Sequence, residues 1–365
     1  NKLARSSLNH DLVESEQLSQ QAHQLATNLD PAYQTGILES LVNLGYVNYF
    51  LGNYSLALQN SLKALDKADA LQMLDRHSAI LHNLGSIYYG LGDYLTALQY
   101  YHRRYQVAQQ TNNFLQEAEA LNALGLVYDT IKAHERALEF YQQSYELYEA
   151  KNNATGIIMV LTNRALAHIN LQNYPAALEE GLIAIDWGRS EYDDRGLINS
   201  LGVTGVAYFE MGDYAQALHY FQQALSKARA FGIKMLEATA LKEIGKVYHR
   251  QSALDPALQH LQQALKIATE INAKSEMFEC HRMLSEIHEQ QSDLQKALCH
   301  HKLYHQIEKQ VFDAEADKKI KNLQIVYDTE KAKREAELTR QKNAELEQEV
   351  IERRRAESVA KQRWQ

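Results

Sequence analysis

Lys242, Lys246 and Arg250 recur at i, i+4 and i+8, and Arg282 follows 40 residues after Lys242. On a helix this spacing puts the first three on one face. Such a stripe suits a carboxylate or an acidic peptide, although Glu279, Glu286 and Glu289 are near enough in sequence to neutralise it. Asn43, Asn83 and Asn163 stand at multiples of 40 from one another and offer side-chain amides. Tyr46, Tyr49, Phe50 and Tyr89 supply aromatic surface, suited either to a partner's apolar side chain or to packing against a preceding element. His301 and His305 have the i, i+4 spacing of paired metal ligands, with Cys280, His281, Cys299 and His300 nearby. No third ligand is fixed and no His-Glu-x-x-His motif occurs, so neither a metal nor a cofactor is expected. There is no phosphate-cradling glycine loop, nucleophile elbow or fixed triad, so catalysis is not expected either.

The composition narrows the background for these groups. The chain has 365 residues, of which 45% are hydrophobic and 23% charged, the make-up of an ordinary globular protein. Three prolines and 16 glycines are too few for a many-turned β-sandwich or barrel. A net charge of −8 argues against a nucleic-acid partner. Two cysteines rule out a disulfide framework. No apolar run reaches the length of a membrane span and no secretory signal is visible, which together point to the cytoplasm. The first residue is Asn, which suggests a trimmed N-terminus.

The elements that would position these residues emerge from self-similarity. An Ala-Leu pair recurs every 40 residues, from Ala57-Leu58 to Ala297-Leu298, identical in all seven copies. A second slot holds Leu44-Gly45, Leu84-Gly85, Leu124-Gly125, Arg164-Ala165, Thr204-Gly205, Ile244-Gly245 and Leu284-Ser285. A small residue there lets a neighbouring helix come close. Between the slots lie turns such as Gly92-Asp93-Tyr94 and Gly212-Asp213-Tyr214. Glycine ends one helix and Asp or Asn caps the next; Asp255-Pro256 reads as a capping Asp with proline at the first helical position. Each unit is therefore a helical hairpin, helix A then helix B.

The Leu-Gly…Tyr…Gly-Asp/Asn-Tyr…Ala-Leu…Tyr/Phe…Ala pattern resembles the tetratricopeptide repeat over about residues 8–304. The fold this implies is all-α, a superhelix (α-solenoid). The period of 40 exceeds the customary ~34, so longer helices are expected. Residues 1–32 read as a partial repeat holding only helix B, and 33–304 as seven repeats. The fourth departs most, with Arg164-Ala165 and Gly181 in consensus slots. The resemblance implies a concave wall of A helices that binds a peptide or protein, with Asn43, Asn83, Asn163, Lys242, Lys246, Arg250, Arg282, Tyr46, Tyr49 and Tyr89 as groove candidates. Asparagine in that slot is similar to tetratricopeptide domains that hold a ligand backbone by its amide. The neighbouring slot holds Val42, His82 and Thr162, so the chaperone-type carboxylate clamp, which needs lysine there, is not supported.

Residues 305–365 differ in kind. From 306 on, 14 Lys/Arg and 13 Asp/Glu occur in 60 residues, with no glycine or proline, the composition of a long helix. Ile320, Leu323 and Tyr327 form a stripe suited to capping the stack. Ala332, Ala336, Thr339, Asn343, Leu346 and Val350 make a weak heptad seam, compatible with a homodimeric coiled coil or with a lone solvated helix. The run from Lys319 through Lys331, with Glu349–Glu357, resembles linkers in bacterial sensory proteins that join tetratricopeptide repeats to an output domain. That resemblance implies a signalling module whose output domain lies elsewhere; a stand-alone adaptor, or a fragment of a diguanylate cyclase or histidine kinase, are the alternatives.

Overall fold

The computed structural model describes residues 12–29, 33–190, 194–309 and Ile325. The chain divides into two compact units, Asn1–Ala314 and Glu315–Gln365. The expected capping stripe and charged coiled coil lie outside the described residues. The expected boundary at 305 falls inside a helix that spans 294–309.

The first unit is a run of helices. A single helix, α1 (Leu12–Asn28), precedes the repeats. The A helices are α2 (Gln34–Phe50), α4 (Leu74–Leu91), α6 (Phe114–Thr130), α8 (Ala154–Asn170), α10 (Asp194–Glu210), α12 (Lys234–Arg250) and α14 (Lys274–Gln290). The B helices are α3 (Tyr54–Ala70), α5 (Tyr94–Gln110), α7 (His134–Glu149), α9 (Tyr174–Ser190), α11 (Tyr214–Ala230), α13 (Leu254–Glu270) and α15, at 294–309. Every A helix starts 40 residues after the last, and each B helix 20 residues after its A helix.

The turns explain this regularity. Among the described residues, left-handed ones occur at 52, 72, 92, 112, 132, 152 and 172 and again at 212, 232, 252, 272 and 292, each run spaced by 20. Each turn closes its helix in the same way. In one, Gly92 N–H donates to the Tyr89 carbonyl and Asp93 N–H to the Tyr88 carbonyl, both 3.0 Å, which uses up carbonyls the helix end would leave unpaired. Asp93, Asn113, Asn153 and Asp213 then accept a backbone N–H of the following turn. Asp255 does not cap. Ser252 takes the left-handed position, so α13 begins at Leu254 with Ala253 as its cap. Pro256 falls at the third helical residue, where a missing N–H is equally harmless.

Packing follows from the two recurrent slots. Ala57, Ala97, Ala137, Ala177, Ala217 and Ala257 are all 0% exposed, so this is where helix B meets helix A. Opposite them the small residue of helix A faces a large side chain of helix B. A Cβ added at Gly85, Gly125 or Gly205 would lie 2.5, 2.5 and 2.6 Å from Tyr101, Tyr141 and Phe221. Consecutive A helices touch one another, and no consecutive pair of B helices does to a comparable extent among the described residues. The stack therefore curls with its A helices on the inside.

The fourth repeat alters this wall. Gly181 stands where Tyr101, Tyr141 and Phe221 carry rings, and a Cβ there would lie 2.4 Å from Thr204 Oγ1. Gly188 likewise lies against the Leu197 backbone. Small residues on α9 thus admit α10 closely, and α8 and α10 become the most intimate pair of consecutive A helices. They are joined by a hydrogen bond of 2.9 Å between Thr162 and Ser200. Arg164, in the apolar slot, is paired with Glu180 at 2.6 Å and lies over the Tyr145 ring. Burial pushes the Glu180 carboxyl up to about 7, against the pull of Arg164.

Candidate functional site

The inner wall opens into a cleft of about 340 Å³ where α8, α10 and α12 converge in front of α11. Leu166 from α8, Ile198, Val203 and Val206 from α10, and Leu236 from α12 supply apolar sides, with Phe221 and Ala224 of α11 behind. Thr162, Asn163, Asn199, Thr239 and Glu243 are its polar members, and Gly202 belongs to it as well. Gly202 and Asn199 escaped the reading of the sequence, although a helix-interior glycine outside the Leu-Gly slot was a visible signal.

The structure distributes the sequence candidates along the wall. Asn163 lines the cleft and donates to Asn122 Oδ1 at 3.0 Å, one A helix earlier. Asn83 is buried and donates to the Val42 carbonyl at 3.0 Å, again from one A helix to the preceding one. Asn43 is buried in α2. The amides of Asn83 and Asn163 join neighbouring repeats; the Oδ1 of Asn163 remains the acceptor it can offer at the cleft.

The basic stripe carries its own counter-ions. Lys242 lies 2.9 Å from Glu276 and 3.4 Å from Glu243, with its side chain 15% exposed. Burial lowers its pKa, but Glu243 and Glu276 overcome this and hold it above the ordinary lysine value. Lys246 approaches Glu243 at 3.7 Å and stands 4.3 Å from the Phe209 ring centroid. Arg250 lies over the same ring. Arg282 is clasped by Glu279 and Glu286 at 2.8 and 2.7 Å. Lys242, Lys246 and Arg282 thus meet four carboxylates, while Arg250 lies against a ring.

Tyr46, Tyr49 and Phe50 do form one aromatic group, with Phe50 ring centroids 4.7 Å from Tyr46 and 5.1 Å from Tyr49. Burial raises the phenol pKa of both tyrosines. Tyr89 is engaged differently, bonded to Thr130 at 2.9 Å and tilted against Tyr94.

One cluster, around Arg104, went unread in the sequence, and a second, the histidines of the last repeat, was read without His288. Arg104 of α5 occupies a slot that holds Ala64, Ser144, Ala184, Ala224 and Ala264, and Tyr304 in the last repeat. It is 4% exposed and crosses the wall to Ser78 and His82, each at 3.2 Å, and to Glu119. Burial, helped by the Arg104 charge, drives His82 down to about 3, so it is neutral and accepts from the guanidinium. At the last repeat His281 and His300 share a hydrogen bond of 2.8 Å between their Nδ1 atoms, and His288 stacks on His300. His301 and His305 pack ring to ring. Among the described residues no group of three or more His, Cys, Asp or Glu is arranged to hold a metal ion, and no helix is long and apolar enough to cross a membrane.

Comparison with known proteins agrees with this geometry. The sequence matches the tetratricopeptide repeat over residues 76–150 and 156–230, and a second profile of the same repeat over 204–270. The chain is a tetratricopeptide-repeat protein. Its fold is similar to the apo form of RapI, with TM-score 0.62 at 14% identity, over 76% of this chain and 99% of that one. A Rap protein complexed with Competence and Sporulation Factor gives TM-score 0.58 at 14% identity, over 86% and 99%. A Rap conjugation gene regulator in complex with a peptide gives 0.57 at 16%, over 79% and 78%. No curated protein sequence matches the chain significantly.

Proposed function

We propose that the concave wall is a non-catalytic receptor for an extended peptide or protein segment. On this reading the chain is the sensory or regulatory part of a bacterial signal-transduction protein that works in the cytoplasm. The observation that carries it is the cleft: an apolar recess with a few polar members, placed on the inner wall where successive A helices converge. The peptide complex of one protein of similar fold and the Competence and Sporulation Factor complex of another support the same reading by analogy. The segment would run along α8, α10 and α12, and pairing of the C-terminal segment with a second copy would pass the change on. A signal of this kind requires two arrangements of the stack with different affinity for the segment.

The test is selection of a displayed library of random linear dodecapeptides on the immobilised full chain, followed by hydrogen exchange of the selected complex. Protection confined to α8, α10 and α12 is expected. Failure to select any sequence, or protection on the outer faces of the B helices, overturns the reading. Light scattering on the chain with and without residues 328–365 tests the pairing, which identical monomer masses would refute. A stand-alone adaptor would bind in the same wall, and a reading frame that continues into an output domain excludes it.

A further inference from the structure

Gly202 lies inside α10, in the slot that carries Val42, His82, Asn122, Thr162, Lys242 and Arg282 in the other A helices. Glycine in a helix interior is less favourable than alanine. At Gly85, Gly125 and Gly205 packing accounts for that cost, because a Cβ would run into the ring of the B helix. At Gly202 a Cβ would meet nothing within 4 Å. The fold does not need this glycine, and the space it leaves open is part of the cleft.

We infer that the cleft at Gly202 receives one bulky uncharged side chain of the bound segment, such as leucine, isoleucine, methionine or phenylalanine, and that Gly202 is the residue that makes room for it. The inference rests on the groove-binding reading and adds the chemistry of the anchor. Size supports it: the recess holds about 340 Å³, roughly twice the ~150 Å³ of a buried cavity that accepts a benzene ring. The walls support it too, since Leu166, Ile198, Val206 and Leu236 present hydrocarbon. Charge decides against the alternatives. The one charged lining residue, Glu243, is already held by Lys242 and Lys246, so an entering ammonium or carboxylate would be desolvated without a free partner. Asn199, exposed at the mouth, and the free acceptor of Asn163 suit the peptide backbone on either side of the anchor.

The experiment titrates the methyl-labelled full chain with N-acetyl-leucine amide, N-acetyl-phenylalanine amide, N-acetyl-lysine amide and N-acetyl-glutamate amide. The leucine and phenylalanine amides should produce saturable shifts of the Val203 and Val206 methyls in the millimolar range. The lysine and glutamate amides should not, and Gly202→Leu should abolish the shifts without lowering the melting temperature. Should Gly202→Leu fail to fold, Gly202→Ala, which meets open space, is expected to weaken the same shifts. Absent shifts, equal response to the charged amides, or undiminished shifts in a folded Gly202 variant overturn the inference. Selected dodecapeptides that bind the wall while the amides ignore the cleft would sink the anchor and leave the groove reading standing. Amides that enter the cleft with no dodecapeptide selected would do the reverse.

Discussion

Two glycines three residues apart on α10 should respond to the same substitution in opposite ways. Alanine is favoured over glycine in a helix interior by about 1 kcal/mol. At Gly202 nothing opposes that gain, because the new methyl has open space around it; Gly202→Ala should therefore stabilise the chain by about 0.5–1 kcal/mol. At Gly205 the methyl would lie 2.6 Å from Cε1 and 2.7 Å from Cδ1 of Phe221. That ring is 1% exposed. Overpacking of this kind costs about 1–3 kcal/mol, so Gly205→Ala should leave the chain between about neutral and 2 kcal/mol less stable. The two variants should differ by the whole strain. A stack of repeats need not unfold in one step, so the denaturation midpoint is best read together with hydrogen exchange of the α10 amides. Equal gains from both substitutions would refute the claim that the ring of helix B sets the approach of helix A.

Other consequences follow from the same geometry. Lys132 holds φ at 64°; a non-glycine residue in that region is strained by about 1–2 kcal/mol, partly offset by the greater unfolded-state freedom of glycine. Lys132→Gly should thus raise the melting temperature, whereas Gly92→Lys at φ 81° should lower it. Burial holds His281 down at about 4 and also lowers His288 and His300. Folded values below the unfolded ones mean stability that is full above pH ~6.5 and is lost as pH falls toward 4; His300→Tyr, which installs the ring found at Tyr100 and Tyr220, should flatten that pH profile of thermal unfolding. Replacing Arg104 by Met removes the charge that helps depress His82, so the His82 pKa should climb from about 3, as followed by its ring resonances in NMR.

The architecture was legible because it rests on residues with a single steric meaning. The seven Ala-Leu pairs mark the crossing of helix B on helix A, and all but the last of their alanines are completely buried. The glycine turns at 52, 92 and 212 were equally plain. Most return turns were not, because Gln72, Asn112, Asn152 and Asn272 take the left-handed position without being glycine, as Lys132 does between an A and a B helix; the period, not the residue type, fixes them there. For the same reason Asp255 looked like a cap and is not one. The site was legible only as a surface. Sequence placed Asn83 and Lys242 on the inner wall but could not show that the first reaches back to the Val42 carbonyl or that the second is claimed by Glu276. Such partners sit a whole repeat away.

The departures from the repeat are what distinguish one stretch of the wall from another. With 20-residue halves closed by the same turn, the helices cannot slip in register, so a substitution changes the local surface without disturbing the stack. Arg104 in an alanine slot sends a charge through the wall between α4 and α6. Gly181 and Gly188 admit α10 closely against α9, and the cleft lies where α8 and α10 meet. Gly202 then omits the side chain that would fill it. Three glycines in successive helices, two used for close packing and one for none, concentrate the deviation on one recess. A helix that accepts the cost of an interior glycine and receives no packing in return is explained by what the recess admits.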